Sequence, residues 1–349
     1  MRQLISELAN QIRERERFTA VGIAVGHKDN LIESAVSGVR RHKSTVPVEL
    51  ADKWHIGSIT KSITATVLGR LVDSGTLKFD SAISDLLPDI SIHPLWEECS
   101  LEHLLTHTSG LPANFPMKSQ KIDPKTTREL VLARRDLIQE ILTKPPKTPS
   151  GSAFLYSNLG YAIIGHIIET QTDSCYEEWV REQLFEPLGL DSAGFGPPLG
   201  LGPDDQPMGH YSVLWCRKPA NPFEGRADNG PIISAAGRAH MNLHDIVTYG
   251  RRHLDGELGV DPFLNSDTWK KVHKPIMNDY AYGWVNTVRD WAGGPVIWHN
   301  GSNMIWYALL MLLPKKNAVL AFVTNNGAIR KAEKAFIQAA KQICGVGCL

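Results

Sequence analysis

The strand-like segments of this chain lie at its two ends, and that ordering constrains the fold more than any other feature. Near the N-terminus, Ala20 to Val25 and Leu31 to Val36 read as strands separated by the turn signal Lys28-Asp29-Asn30. Near the C-terminus, Val296 to Trp298, Ile305 to Leu313 and Ala318 to Thr324 read the same way, with Pro314-Lys315-Lys316-Asn317 as a hairpin turn. Flanking helices are expected at both ends. Leu4, Ile5, Leu8 and Ile12 share one helical stripe, and a second helix runs from about Ala328 to Ile343. Between the two strand groups, helical segments alternate with Pro- and Gly-rich loops such as 144–151 and 194–209, and Asn242 with Asp245 signals a further helix start. An α/β (α+β) fold is expected: an antiparallel sheet built from both chain ends and flanked by helices, plus a mostly helical region. The corresponding division is a discontinuous α/β domain, 1–80 with 245–349, and a helical domain, 81–244. No internal repeat or low-complexity tract interrupts this pattern.

Composition removes several classes of partner. The 349 residues hold 37 Lys plus Arg and 37 Asp plus Glu, so no global field recruits nucleic acid or an anionic membrane. The longest apolar run, Ile305 to Leu313, is about half of what a bilayer-spanning helix requires. The N-terminus opens an amphipathic helix, which places the protein in the cytoplasm if Met1 is the native start and in the periplasm or outside the cell if a leader was removed. Cys99, Cys175, Cys216, Cys344 and Cys348 are odd in number and lack a C-x-x-C pair, so they read as reduced thiols.

Ser58-Ile59-Thr60-Lys61 sets a hydroxyl and an amine one helical turn apart on the same face. Gly57 permits a tight entry turn, so Ser58 falls near a helix N-terminus, where backbone N–H groups favour developing negative charge. Alone, the tetrapeptide is an ordinary N-cap followed by an exposed lysine. Two further segments change its meaning: Tyr156-Ser157-Asn158 at the start of an apolar helix, and His299-Asn300-Gly301-Ser302 on a strand before an apolar run.

Ser-x-x-Lys, Tyr-x-Asn and Lys/His-x-Gly in that order resemble the serine β-lactamase and penicillin-binding-protein superfamily, in its class C β-lactamase-like branch. That branch also holds D-alanyl-D-alanine carboxypeptidases, D-amino-acid peptidases and amidases, and family VIII carboxylesterases. Leu104 to Pro112 and Phe185 to Leu190 fit the same branch, so the resemblance extends from about residue 18 to 325. It implies that Ser58 forms the acyl-enzyme, that Lys61 holds or relays its proton, and that Tyr156 is the second half of the base if two nearby cations or donors stabilise its phenolate. It further implies that Asn158 bonds Lys61 or the substrate amide. Gly301 would allow close approach to the strand edge, and the backbone N–H groups of Ser58 and Ser302 would form the oxyanion hole.

His299 stands where class C β-lactamases carry lysine; a neutral imidazole offers a hydrogen bond rather than a fixed charge for a carboxylate, which argues against efficient β-lactam turnover. His103 and His107 stand at i and i+4, but Leu104 replaces the Glu that a zinc protease needs. No Gly-x-Ser-x-Gly elbow and no phosphate-binding glycine loop occurs. Trp298, Trp306 and Tyr307 flank the third motif, where alternate strand positions favour the core over an acyl pocket. The expected activity is a cofactor- and metal-free serine hydrolase acting on a small ester, amide or β-lactam. The alternatives are a D-alanyl-D-alanine carboxypeptidase or D-amino-acid peptidase and, from another class, a non-catalytic binding protein of the same fold. Loops at about 113–128 and 194–230 are expected to shape the acyl pocket.

Overall fold

A computed structural model describes residues 1–28, 31–116, 122–202, 204–213, 216–224 and 227–345. Asp29, Asn30 and Cys348 lie outside the described residues, as do the side chain of Cys216 and parts of the two pocket loops. The main sheet has six antiparallel strands in the order β2-β1-β11-β10-β9-β8. They are β1 (Ala20–Gly26), β2 (Ile32–Gly38), β8 (Val285–Arg289), β9 (Gly294–Ser302), β10 (Tyr307–Leu313) and β11 (Ala318–Thr324). β1 pairs with β11 in the register Val21 to Thr324, so the two chain ends meet at the middle of the sheet. A small sheet joins β3 (Trp54–His55), β7 (Ala239–Met241) and β4 (Gly194–Phe195), and β5 (His210–Val213) pairs with β6 (Cys216–Pro219).

Period-two alternation divides the sheet's side chains between two layers. Val21, Ile23, Val25, Leu309, Met311 and Phe322 pack on the helices Arg2–Glu16 and Ile329–Gly345, through Ile5, Leu8, Phe336 and Ala340. The opposite face presents Ala20, Ala24, Leu310, Leu312 and Ala321 to the larger core. There Gly22 and Gly26 leave room for the helix Leu243–Glu257: a Cβ on Gly22 would lie 2.9 Å from Leu243 Cδ1, and one on Gly26 2.5 Å from Val247 Cγ1. Asn242 caps that helix by accepting from the Asp245 N–H at 2.8 Å.

Two expectations need correcting. β8 is an additional edge strand, and its Val285-Asn286-Thr287-Val288-Arg289 sequence is too exposed for an apolar pattern to reveal it. Ile305 and Trp306 precede β10 instead of opening it; Trp306 is buried in the core, edge-on to Trp54 at 6.0 Å. Among the described residues, no helix is long and apolar enough to cross a membrane, and Cys99, Cys175 and Cys344 are free thiols.

Candidate active site

Ser58 sits in a 3-10 turn, Gly57–Ile59, that leads directly into the helix Thr60–Asp73. Lys61, on the first turn of that helix, is completely buried. Its Nζ lies 3.1 Å from Ser58 Oγ and 2.7 Å from both Asn158 Oδ1 and the Ala236 carbonyl oxygen. Among the described residues no carboxylate contacts it, and burial holds its pKa well below the ordinary lysine value of 10.5. The neutral amine suits these surroundings. Its two N–H bonds match the two carbonyl acceptors, and its lone pair is left for the Ser58 O–H.

Tyr156 and Asn158 enter from the start of the helix Asn158–Thr172, whose N-cap Ser157 accepts from the Gly160 N–H. The segment Leu104–Asn114 holds them in place. Ser157 N–H donates to His107 Nδ1 at 3.1 Å, Leu155 N–H to the His107 carbonyl at 2.7 Å, Ser157 Oγ to the Pro112 carbonyl at 2.7 Å, and Asn158 Nδ2 to Asn114 Oδ1 at 2.7 Å. His107 adopts a left-handed φ of 60° and packs its ring 4.3 Å from that of Tyr156. Its role is therefore to frame the second motif, and among the described residues no group of three or more His, Cys, Asp or Glu side chains could hold a metal.

The Tyr156 ring lies 4.8 Å from Lys61 Nζ. Desolvation pushes its hydroxyl up to about 12, against its interaction with the Ser58 hydroxyl, which lowers it. The 37 % of this residue that faces the open cleft tempers the push, since water there screens the phenolate. Burial shifts Lys61, His107 and His299 toward their neutral forms, so of the cations and donors expected to stabilise a Tyr156 phenolate the cations are weakened and the neighbouring Ser58 hydroxyl is the group that lowers the phenol.

β9 supplies the third wall. A Cβ on Gly301 would overlap the Ile56 carbonyl oxygen and lie 2.5 Å from Ser58 N, so only glycine lets this strand reach the Ser58 turn. The approach sets the Ser58 and Ser302 backbones side by side. Ser302 Oγ donates to the Trp306 carbonyl at 2.6 Å and accepts from the Met304 N–H at 3.0 Å, which fixes the chain just beyond. His299 is buried, and its pKa is lowered to about 3 by desolvation and then by Lys61. Its Nδ1–H faces the Asn300 carbonyl at 2.5 Å, and its Nε2 accepts from Tyr280 Oη at 3.1 Å. Both ring nitrogens are therefore occupied within the protein. In this arrangement His299 has no ring nitrogen free for the substrate hydrogen bond expected of it.

A cavity of about 390 Å³ opens above Ser58, lined by Phe154, Tyr156, Tyr280, Trp298, Tyr307 and Ile329 together with Asn278, Asn300 and the β9 motif. Trp298 and Tyr307 border this cavity from the helix-side layer, where Tyr307 is buried with its ring 5.9 Å from that of Phe336, and Trp306 lies in the core on the other face. Ser58, Lys61, Tyr156, Asn158, His299, Gly301 and Ser302 are gathered at one place from three distant stretches of chain. Three contributors had no sequence signal: Tyr280, which lies in an irregular segment; Asn114, in a loop; and the Ala236 carbonyl, since a backbone acceptor leaves no mark on residue type.

Comparison with known proteins gives a family model described as Beta-lactamase, matched over residues 4–342. Penicillin-binding protein 4 of Amycolatopsis lactamdurans is 28 % identical over 351 residues, covering 92 % of this chain and 84 % of that protein. Several other curated relatives are spanned over only about half their length. Among solved structures, the D-amino acid amidase of Ochrobactrum anthropi SV3 superposes with a TM-score of 0.77 at 21 % identity, covering 98 % of each chain. A D-stereospecific amidohydrolase from Streptomyces sp. superposes with a TM-score of 0.74 at 19 % identity, covering 96 % of this chain and 98 % of its own.

Proposed function

This chain belongs to the β-lactamase family of serine hydrolases, and from that premise we propose that it hydrolyses amides of D-configured amino acids through an acyl-enzyme on Ser58. The observation that carries the chemistry is the buried, carboxylate-free Lys61 amine 3.1 Å from Ser58 Oγ. Ser58 Oγ attacks the substrate carbonyl while its proton passes to Lys61 Nζ, and the oxyanion gathers between the Ser58 and Ser302 amides. Tyr156, hydrogen-bonded to Ser58, gives its proton to the departing amine and regains one from Lys61. Water then releases the acid by the reverse sequence.

Electrostatics favours an amide over a carboxypeptidase substrate. None of the described lining residues of the cavity is Lys, Arg, Asp or Glu, and His299 is held neutral, so nothing there matches a terminal carboxylate. The D-configuration is supported by the amidase and amidohydrolase folds, whose chains are covered almost completely. Penicillin-binding protein 4 keeps a D-alanyl-D-alanine peptidase as the second reading.

Ammonia release from D- and L-phenylalanine amide, set beside D-alanine release from a diacetyl-lysyl-D-Ala-D-Ala peptide, tests the proposal with Ser58→Ala as control. D-amide turnover at least about tenfold above the L-amide, lost in the variant, is expected; an effect of that size needs only about 1.4 kcal/mol of discrimination. Faster cleavage of the peptide would favour the second reading. Turnover of simple esters alone, without preference of hand, would overturn both.

A further inference from the structure

Three backbone groups of the active site, the Ser58 amide, the Ser302 amide and the Ala236 carbonyl, lie on segments that are far apart in sequence. Each segment is tied to the same buried carboxylate. Asp228, its side chain 4 % exposed, has Oδ1 2.8 Å from His55 Nε2, accepts from Asn303 Nδ2 at 3.0 Å and from Asn229 N–H at 2.7 Å, and receives Arg238 Nε on Oδ2 at 3.1 Å. The His55 contact is close but bent, so Nε2 lacks a linear hydrogen bond and the attraction is mainly electrostatic. Burial alone would raise the Asp228 carboxyl; His55 and Arg238 outweigh it and hold the group below the ordinary aspartate value.

Each partner leads to the site within a few residues. His55 Nδ1 accepts the Gly57 N–H at 3.1 Å, which leaves the ring proton to Nε2, the nitrogen 2.8 Å from Asp228 Oδ1. Gly57 has φ +52°, and a Cβ there would overlap Ser302 N, so its orientation sets the direction from which Ser58 N–H enters the cleft. Asn303 follows Ser302 directly, and its Oδ1 accepts the Ile305 N–H at 3.4 Å. Arg238 stands two residues beyond Ala236, at the start of β7, whose Ala239 carbonyl accepts the Ile56 N–H at 3.0 Å. An oxyanion hole formed from two separate backbone segments is only as good as their relative placement, because its donors must be aimed at the tetrahedral oxygen in advance.

We propose that Asp228 is a positioning residue of the oxyanion hole, holding the nucleophile turn through His55 and the β9 end through Asn303 so that the Ser58 and Ser302 amides converge on one oxygen. It touches no reacting atom and acts only through those partners. The inference rests on the Ser58 acyl-enzyme reading but not on the choice of D-amino-acid substrate, so its test uses an activated ester and a boronate.

Asp228→Asn keeps the shape but forces an N–H toward either Arg238 or the donors at Oδ1. The expected result is a kcat for p-nitrophenyl acetate lower by about 10- to 100-fold, below the 100- to 1,000-fold typical of deleting an oxyanion donor outright. KM should stay within about twofold. The Ki of phenylboronic acid, whose tetrahedral Ser58 adduct places an oxygen in the hole, should rise by a similar factor. Ki does not depend on the fraction of protein that is folded, so a purely structural defect would leave it unchanged. Asn303→Ala severs one arm and should raise Ki by about tenfold, and the double variant should fall short of the product of the two effects because both act on one hole. A folded Asp228→Asn or Asn303→Ala protein with native Ki would overturn the assignment. A native protein that neither cleaves the ester nor binds the boronate would instead overturn the Ser58 reading, and this inference with it.

Discussion

Replacing Lys61 with Met should reveal the protonation state of the proposed base without measuring activity. Lys61 is fully buried, with its amine held by Asn158, Ala236 and Ser58 and, among the described residues, no carboxylate to stabilise a cation. Its folded pKa lies well below 10.5, whereas the unfolded chain returns it to the ordinary value. Between those two values, unfolding takes up one proton at this residue, so the native state gains stability as pH rises through the window. One proton corresponds to about 1.4 kcal/mol per pH unit. Met keeps the length and apolar stem but has nothing to titrate. Above about pH 7.5, beyond the ordinary histidine range, the native protein should therefore gain stability relative to Lys61→Met as pH rises, at up to about 1.4 kcal/mol per pH unit while pH lies between the two values. Urea unfolding of both proteins at three pH values measures the difference, in which all other titrating groups cancel. The variant also leaves two buried acceptors unpaired, which shifts its whole curve by an amount independent of pH in this window. Parallel curves would mean that Lys61 keeps its proton in the fold, and the amine could not then serve as the resting base.

Other substitutions test separate parts of the site. Tyr156→Phe should lower kcat at least about 100-fold, the lower range for losing a general acid–base group, while the ring's 4.3 Å contact with His107 preserves the melting temperature. Gly301→Ala should cost at least about 100-fold in acylation rate, because its Cβ would collide with the Ile56 carbonyl and displace the Ser58 amide; native acylation would show that β9 can yield. Arg134, fully buried, pairs with Glu169 and Glu177 and donates to the Ile232 carbonyl on the segment that leads to Ala236. Arg134→Met should destabilise the fold by about 3 to 5 kcal/mol in urea titration by removing the guanidinium from the buried Glu169 carboxylate, which keeps only the Tyr176 N–H and His166.

What the sequence reveals depends on whether a residue's type or only its backbone matters. The Ser58–Lys61 spacing follows from helix geometry, and β1, β10 and β11 follow from dense apolar runs, because buried strands need continuous hydrophobicity. β3, β4 and β7 are two or three residues long, too short for any period, yet they anchor the turn that carries Ser58. Asp228 and Tyr280 look like ordinary loop residues in one dimension. Only folding shows that the first meets His55 and Asn303 and that the second meets His299. His299 itself was legible as a strand residue of the third motif, but its loss of both ring nitrogens to Asn300 and Tyr280 was not.

The pairing of β1 with β11 joins positions about 300 residues apart, and this gives the molecule a timetable during its synthesis. At roughly 5–20 residues per second, the β1–β2 hairpin leaves the ribosome about 15 to 60 s before its central neighbour exists. Throughout that interval β1 presents an apolar edge with no partner, the kind of surface that chaperones cover and that pairs with other nascent chains. Ser58 and Lys61 are made early, but the β9 wall that completes the proposed oxyanion hole arrives late and in the same stretch of chain as the strands that close the sheet. Hydrolytic competence and final sheet closure therefore come together, so a ribosome stalled before residue 299 holds a chain with its nucleophile made and its chemistry still absent.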